Sequence, residues 1–264
     1  MVFFKNKVVW ITGASSGIGR ALAIQLSKLG SCLILSSRRE EALESVKAEC
    51  DHSEMIKIVP LDLAFYDEMK SNVESAISCF GKIDILINNG GISQRSLIAE
   101  TGIEIDKHLM EVNYLGTVAL SKALLPHFIK NQSGHYVTVT SLMGKFGSPY
   151  RSGYCGAKHA LQGFFDVLRM EHEKDNINVT LICPGFVNTD VARNALNAKG
   201  EKQNSQDNAT ENGLDVNVFT RKMLKAIVKK KFEAYIGKGE VRGVYLKRFF
   251  PKLLHKIVLK SAVR

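Results

Sequence analysis

Short apolar runs rich in β-branched residues alternate with longer amphipathic stretches along most of this 264-residue chain. No other feature limits the fold as much. Strands are predicted at residues 7–12, 32–36, 55–60, 83–87, 135–140 and 178–182, with a last short one at 232–236. Helical spacing fills 17–30, 40–49, 67–80, a long region around 106–130, then 152–175 and 216–228. Strands separated by helices imply βαβ units, and strands apolar throughout belong to a sheet covered on both faces. The expectation is an α/β protein built on a single doubly wound parallel sheet with helices on both faces. One stretch breaks the rhythm: residues 197–213 are polar, Asn/Gln-rich and poor in apolar side chains, and read as a mobile loop or insertion.

Composition narrows the function classes. At 45% hydrophobic and 23% charged, the chain has material for a sizeable core and is neither disordered nor collagen-like. No apolar run reaches the roughly 18 residues of a membrane-spanning helix, and the apolar start is too short for a signal peptide. Five widely spaced cysteines with no C-x-x-C pair then read as reduced thiols, which points to the cytoplasm. The histidines have no metal-ligand spacing, so no metal is expected. The net charge of +10 would suggest a nucleic-acid partner, but it is unevenly spread. Residues 221–264 hold 14 Lys/Arg against Glu233 and Glu240, and the remainder is slightly acidic. With no aromatic-interleaved groove or nucleic-acid motif, no such partner is expected.

The first predicted strand runs into Thr12-Gly13-Ala14-Ser15-Ser16-Gly17-Ile18-Gly19 and a helix follows. A glycine turn at that junction lets backbone approach a pyrophosphate, while the helix start offers free N–H groups and the positive end of its dipole. Gly13, Ser15, Ser16, Gly17, Ile18 and Gly19 are therefore candidate cofactor-binding residues, and the sheet is expected to be of Rossmann type. The spacing G-x-x-x-G-x-G differs from the common G-x-G-x-x-G, and a purely structural turn is the alternative. The second strand ends in Ser36-Ser37-Arg38-Arg39, with no acid to accept a ribose 2′-hydroxyl. Arg38, with Arg39, can bind a 2′-phosphate instead, which favours NADP(H) over NAD(H). The alternative is two solvated arginines beside Glu40 and Glu41.

With these residues in hand, the chain resembles the short-chain dehydrogenase/reductase family over roughly residues 5–245. The resemblance rests on an ordered set: the turn at 12–19; Asp62, in Leu61-Asp62-Leu63; Asn88-Asn89-Gly90-Gly91; Asn113; Ser141; Tyr154-x-x-x-Lys158; and Pro184-Gly185 with Thr189. Gly90 stands where the family usually has alanine. The segment 144–158, with the Ser-Arg-Arg strand end, looks closest to the hydroxysteroid-dehydrogenase-like branch. What the resemblance implies is an NADP(H)-dependent oxidoreductase interconverting a carbonyl and a secondary alcohol on a small hydrophobic substrate. It implies catalysis by Asn113, Ser141, Tyr154 and Lys158. It adds Asp62, Leu63, Asn89, Gly90, Pro184, Gly185, Val187 and Thr189, with Tyr154 and Lys158 again, to the cofactor site.

The residue types suit that chemistry. A free phenol has a pKa near 10, too high for proton exchange at neutral pH. Lys158 lies one helical turn from Tyr154, close enough for its charge to lower that value. Ser141 can hydrogen-bond the substrate oxygen; a water relay supported by Asn113 is implied by the resemblance alone. Ala157, Ala160, Leu161, Phe164, Phe165 and Leu168 form an apolar arc on the same helix, either core or, as the family implies, a homodimer or homotetramer contact. The resemblance makes 189–213 a substrate lid, in which Val191, Ala192, Ala195 and Leu196 could face an apolar substrate. Residues 1–245 are then the catalytic domain and 246–264 a basic amphipathic helix. Its apolar face (249, 250, 253, 254, 257, 258) can rest on the protein's own body, on a partner subunit or on an anionic membrane surface. The competing function is a non-catalytic dinucleotide-binding module with a docking tail.

Overall fold

The computed structural model describes residues 2–261 and, among them, one seven-stranded sheet. Its strands are β1 (Val8–Thr12), β2 (Cys32–Ser36), β3 (Ile56–Ile58), β4 (Ile85–Asn88), β5 (Gly134–Val139), β6 (Ile177–Pro184) and β7 (Glu233–Ile236). They lie in the order β3-β2-β1-β4-β5-β6-β7, every neighbouring pair parallel. Parallel pairs need long crossovers. These are supplied by α1 (Gly17–Ser27), α2 (Glu40–Ala48), α3 (Met69–Phe80), α4 (Ile103–Met110), α5 (Gly116–Lys130), α6 (Ser152–Glu171), α7 (Asn208–Glu211) and α8 (Val216–Val228).

The period of two along each strand divides the core into two layers. Val9 and Ile11 of β1, Leu33 and Leu35 of β2 and Ile85 and Ile87 of β4 pack with α1 and α8, through Leu22, Leu26, Phe219 and Met223. Val8, Trp10, Ile34 and Leu86 point the other way, onto Val73 of α3, Leu120 and Leu124 of α5 and Leu161 and Phe165 of α6. All five residues of β1 are buried, as a central strand covered on both sides requires. Large side chains with a polar tip are paired inside these layers: Trp10 Nε1 donates to Ser36 Oγ at 2.8 Å, and the Tyr136 hydroxyl donates to the Ser121 carbonyl at 2.8 Å.

Three departures from the sequence reading matter for the site. The long helical region expected around 106–130 is continuous from Ile103 to Lys130, but it widens into a π-turn at Glu111–Leu115, between α4 and α5. The polar stretch 197–213 carries the short helix α7 and buries Asp207 and Thr210. The single basic helix expected over 246–264 is two, α9 (Arg242–Phe249) and α10 (Pro251–Lys260), because Pro251 lacks an N–H and Phe250 before it leaves the helical region. The end of that expected helix, 262–264, lies outside the described residues. Of its six apolar positions, Leu254 and Val258 pack with Leu142, Phe146 and Cys183, whereas Phe249, Phe250 and Leu253 are exposed.

Of the arc on α6, Ala157, Leu161, Phe165 and Leu168 are buried in the core and Ala160 and Phe164 are half-buried, while Val167 and Met170 of that helix are exposed. No described helix is long and apolar enough to cross a membrane. Chain order reverses between β1 and β4, and a crevice opens at such a switch point beyond the carboxyl ends of the strands.

Candidate active site

The glycine turn leaves β1 in this crevice and is stitched to the end of β4. The Thr12 hydroxyl accepts from the N–H groups of Asn89 (3.0 Å) and Gly90 (2.9 Å). Asn89 Nδ2 donates back to the carbonyls of Thr12 (3.0 Å) and Gly13 (3.2 Å). Gly13 has φ +64° and Gly17 φ +53°, a region side chains disfavour. A Cβ on Gly19 would stand 2.2 Å from the Gly13 carbonyl oxygen, so the start of α1 packs directly under the turn. That helix start has no side-chain cap and no acid in its first turn, which leaves its N–H groups and dipole facing the crevice. These features fit the phosphates of a dinucleotide.

Gly90 is explained by its surroundings. A methyl there would lie 2.7 Å from Leu63 Cδ1, so in this chain a leucine tip occupies the space an alanine would fill. Asp62 Oδ1 accepts from the Ala64 N–H at 3.0 Å, holding the bend after β3. Arg38 and Arg39 are exposed, and neither forms an ion pair within the described residues, Glu40 and Glu41 included. Beyond β6, Gly185 N–H donates to the Ile236 carbonyl (2.8 Å), and Phe186 N–H to Glu240 (3.0 Å). Thr189 comes down beside Gly17.

The four predicted catalytic residues approach from three directions. Ser141 lies two residues beyond the end of β5 and is buried; its hydroxyl oxygen accepts from Met143 N–H at 3.0 Å, which leaves the hydroxyl proton to be donated elsewhere. Tyr154 and Lys158 stand one turn apart on α6, with Lys158 Nζ 5.8 Å from the centre of the tyrosine ring. Nζ donates to the Val139 carbonyl at 3.0 Å. Asn113 sits in the π-turn, fully buried, with its amide used at both ends by Ile92: Oδ1 accepts from the N–H and Nδ2 donates to the carbonyl, each at 2.9 Å. A Cβ on Gly91 would be 2.6 Å from Asn113 Oδ1 and 3.5 Å from Lys158 Nζ, so the two converge behind the glycine.

Burial dominates the local electrostatics. It raises the Tyr154 phenol above its ordinary pKa, against a hydrogen bond with Ser141 and the charges of Arg95 and Arg151, which pull it down. It lowers Lys158 to about 8. The cations acting on the phenol thus include two arginines absent from the sequence reading.

A single cavity of about 1000 Å³ joins the phosphate turn to this cluster. It is lined by every predicted site residue except Gly19 and Asn113, which lie just behind the wall. Of the apolar lid positions, Val191 and Leu196 line it, while Ala192 and Ala195 are packed away. The cavity also takes Arg95, Arg151, His108, Glu240 and, from α10, Leu254 and Ile257. Leu254 and Ile257 belong to the apolar face expected of the tail, whereas Arg95, Arg151, His108 and Glu240 were not singled out as site residues. Arg95 and Arg151 were open to notice as charges beside the Asn-Asn-Gly-Gly and Tyr-x-x-x-Lys motifs; His108 and Glu240 carry no local signal. Among the described residues, no group of three His, Cys, Asp or Glu side chains could hold a metal ion.

Residues 7–200 match the model of the family described as short chain dehydrogenase. The dehydrogenase/reductase SDR family protein 7-like of Drosophila melanogaster is 38% identical over 265 residues, 98% of this chain and 81% of that protein. A short chain dehydrogenase/reductase from Burkholderia phymatum, solved with NAD, superposes with a TM-score of 0.83 at 22% identity over 100% of this chain and 99% of that one. The structure of ElxO with NADP bound gives 0.67 at 29% identity over 70% and 75%. With a family match spanning well over half the chain, and the same sheet and crevice, this protein belongs to the short-chain dehydrogenase/reductase family.

Proposed function

We propose that this chain is an NADP(H)-dependent oxidoreductase that interconverts a carbonyl and a secondary alcohol on a small hydrophobic substrate. The observation that carries the reading is one cavity lined by the glycine turn, by Arg38 and Arg39, and by Ser141, Tyr154 and Lys158. A nicotinamide dinucleotide held along the glycine turn and this cavity would supply or accept the hydride. Ser141 donates a hydrogen bond from its hydroxyl to the substrate oxygen and stabilises the charge that grows there. Tyr154 gives or takes the proton at that oxygen, and Lys158, with Asn113 behind it, holds the path by which the phenol is recharged. Arg38 and Arg39 favour the 2′-phosphate because they are exposed just beyond β2 and pair with no carboxylate among the described residues. The apolar lining from Leu142, Phe146, Leu196, Leu254 and Ile257 favours a hydrophobic substrate. The test is titration of the purified protein with NADPH and NADH, followed by assay against apolar ketones and secondary alcohols. NADPH is expected to bind at least about tenfold more tightly; binding of neither dinucleotide would overturn the reading.

In this reading residues 1–245 are the catalytic unit, working in the cytoplasm as a homodimer or homotetramer. Residues 246–264 are its basic closing segment. A specific observation favours a membrane role for that segment. Phe249, Phe250, Leu253 and Leu259 are exposed among Lys247, Arg248, Lys252, Lys256 and Lys260, beside the wall of an apolar cavity. Such a surface suits an anionic bilayer. Phe249→Ser with Phe250→Ser is expected to abolish sedimentation with phosphatidylserine vesicles at low salt and to leave NADPH binding unchanged. Equal sedimentation of parent and variant, or none by the parent, would count against it.

A further inference from the structure

The segment after Pro184-Gly185 is tied at its base by Lys238 Nζ, which donates to the Asn212 carbonyl (2.8 Å), and at two further points toward the catalytic pocket. At its near end, Leu196 N–H donates to the Ser93 carbonyl (2.9 Å) and Arg95 N–H to the Leu196 carbonyl (2.8 Å). At its far end stands Asp207, 3% exposed in a stretch whose composition suggests a solvated loop. Its carboxylate accepts from Arg95 Nη2 at 2.6 Å and Nε at 3.1 Å, from Arg151 Nη2 at 3.4 Å and from the Thr210 hydroxyl at 3.2 Å. Arg95 Nη1 is held in turn by Ser93 Oγ (2.8 Å) and the Gln94 carbonyl (2.7 Å). Both arginines are also nearly inaccessible, so the three charges meet in a dry environment. Breaking such a group from one side is costly, because it leaves buried charge uncompensated.

The arginines face the chemistry as well as the lid. Arg151 precedes α6 three residues before Tyr154, and Gln94, beside Arg95, accepts from the Tyr154 N–H at 3.3 Å through Oε1. The titratable or charged groups about the phenol are Cys155 and Lys158 on its own helix, Arg151 at the helix start and Arg95 after β4. His108 of α4 lines the same cavity. Of these, Arg95 and Arg151 contact the Asp207 carboxylate.

We infer that Asp207 is a positioning residue for the reaction: it fastens the far end of the lid to Arg95 and Arg151 in the wall of the catalytic pocket. One carboxylate thereby closes the pocket over substrate and balances the cations beside Tyr154. This rests on the reading of Tyr154 as the acid/base group. The charge of Asp207 is secure there: burial alone would raise its pKa, but the hydrogen bonds and charge of Arg95, with Arg151, hold it below the usual carboxylate range. When the carboxylate is present, the two cations do less to favour a phenolate; when it is gone, they favour it more.

The test uses the full chain and needs no substrate. In Asp207→Asn, hydrogen exchange at Gln203, Asn204, Thr210 and Glu211, whose N–H groups are paired in the closed lid, is expected to quicken at least about tenfold. The phenolate midpoint of Tyr154, isolated as the near-ultraviolet titration difference from Tyr154→Phe, is expected to fall by about one pH unit. Asp207→Glu should restore part of both effects. A loop that merely packs would quicken exchange without moving the phenol. Unchanged exchange or an unchanged midpoint overturns the inference. Should Asp207→Asn not fold, Thr210→Val is read instead: it removes one donor but leaves the carboxylate charged, so exchange should quicken while the phenolate midpoint stays, and unchanged exchange overturns the latch. The two readings fail separately: a Tyr154→Phe protein that still turns over removes the acid/base assignment, whereas unaltered exchange in Asp207→Asn removes the latch.

Discussion

Replacing Tyr154 with phenylalanine is expected to cut turnover about a thousandfold, the usual range for loss of a general acid or base, while NADPH affinity stays within about twofold. The phenyl ring keeps the packing on α6 and the stacking over Lys158; only the proton-bearing oxygen is lost. The electrostatics of the pocket explain why that oxygen cannot be replaced by a neighbour. Burial opposes charge on both members of the pair, raising the phenol and lowering Lys158 to about 8. The ammonium donates to the Val139 carbonyl, so it is directed into the wall rather than toward a substrate. Ser141 has its oxygen committed to Met143 N–H and can stabilise a substrate oxygen without serving as its proton source near neutral pH. Single-turnover and steady-state measurements with NADPH, alongside fluorescence titration of the same variant, separate loss of chemistry from loss of binding. Retained turnover would remove Tyr154 from the reaction.

Arg38→Asp is expected to weaken NADPH binding about a hundredfold and to strengthen NADH binding, reversing the preference. Two charge-assisted hydrogen bonds to a phosphate, each worth about 1.5–3 kcal/mol, account for the loss. The introduced carboxylate repels a 2′-phosphate and can accept from a ribose hydroxyl. The fold should tolerate the change, since Arg38 is exposed at the end of β2 and holds no ion pair within the described residues. Exposure has a second consequence: salt screens a surface contact, so the NADPH preference of the parent protein should narrow as ionic strength rises. Paired dissociation constants for both dinucleotides at low and high salt test this. Unchanged NADPH affinity in Arg38→Asp would show that the phosphate is bound elsewhere.

Much of the fold was legible because its determinants are local. β1, β2 and β4 are short, apolar up to their last residues and bounded by turns, so the apolar runs locate them within a residue or two. The phosphate turn was legible for the same reason: its glycines are required by their own backbone angles and by contacts a few residues away. What escaped notice depends on partners distant in sequence. Arg95 and Asp207 are 112 positions apart, and nothing near Asp207 distinguishes it from the solvated residues around it. The π-turn that carries Asn113 is written in residues that would equally continue an α-helix; the tie between Asn113 and Ile92 accompanies the wider turn. Proline is a weak guide too: Pro126 lies inside α5, whereas Pro251 opens a new helix. The apolar stripe of the tail divides about the break at Phe250: Leu254 and Val258 pack inward, whereas Phe249, Phe250, Leu253 and Ile257 are exposed.

The glycine turn does not hold its own shape. Its carbonyls at Thr12 and Gly13 are gripped by Asn89, and the Thr12 hydroxyl grips the backbone of Asn89 and Gly90 in return. Residues 12–19 are therefore not a portable unit: grafted onto another strand–helix junction, they would carry the glycines without the clasp that fixes them. A transplant that works must bring the end of the neighbouring strand as well, and loosening Asn89 should erode dinucleotide affinity without touching the turn at all.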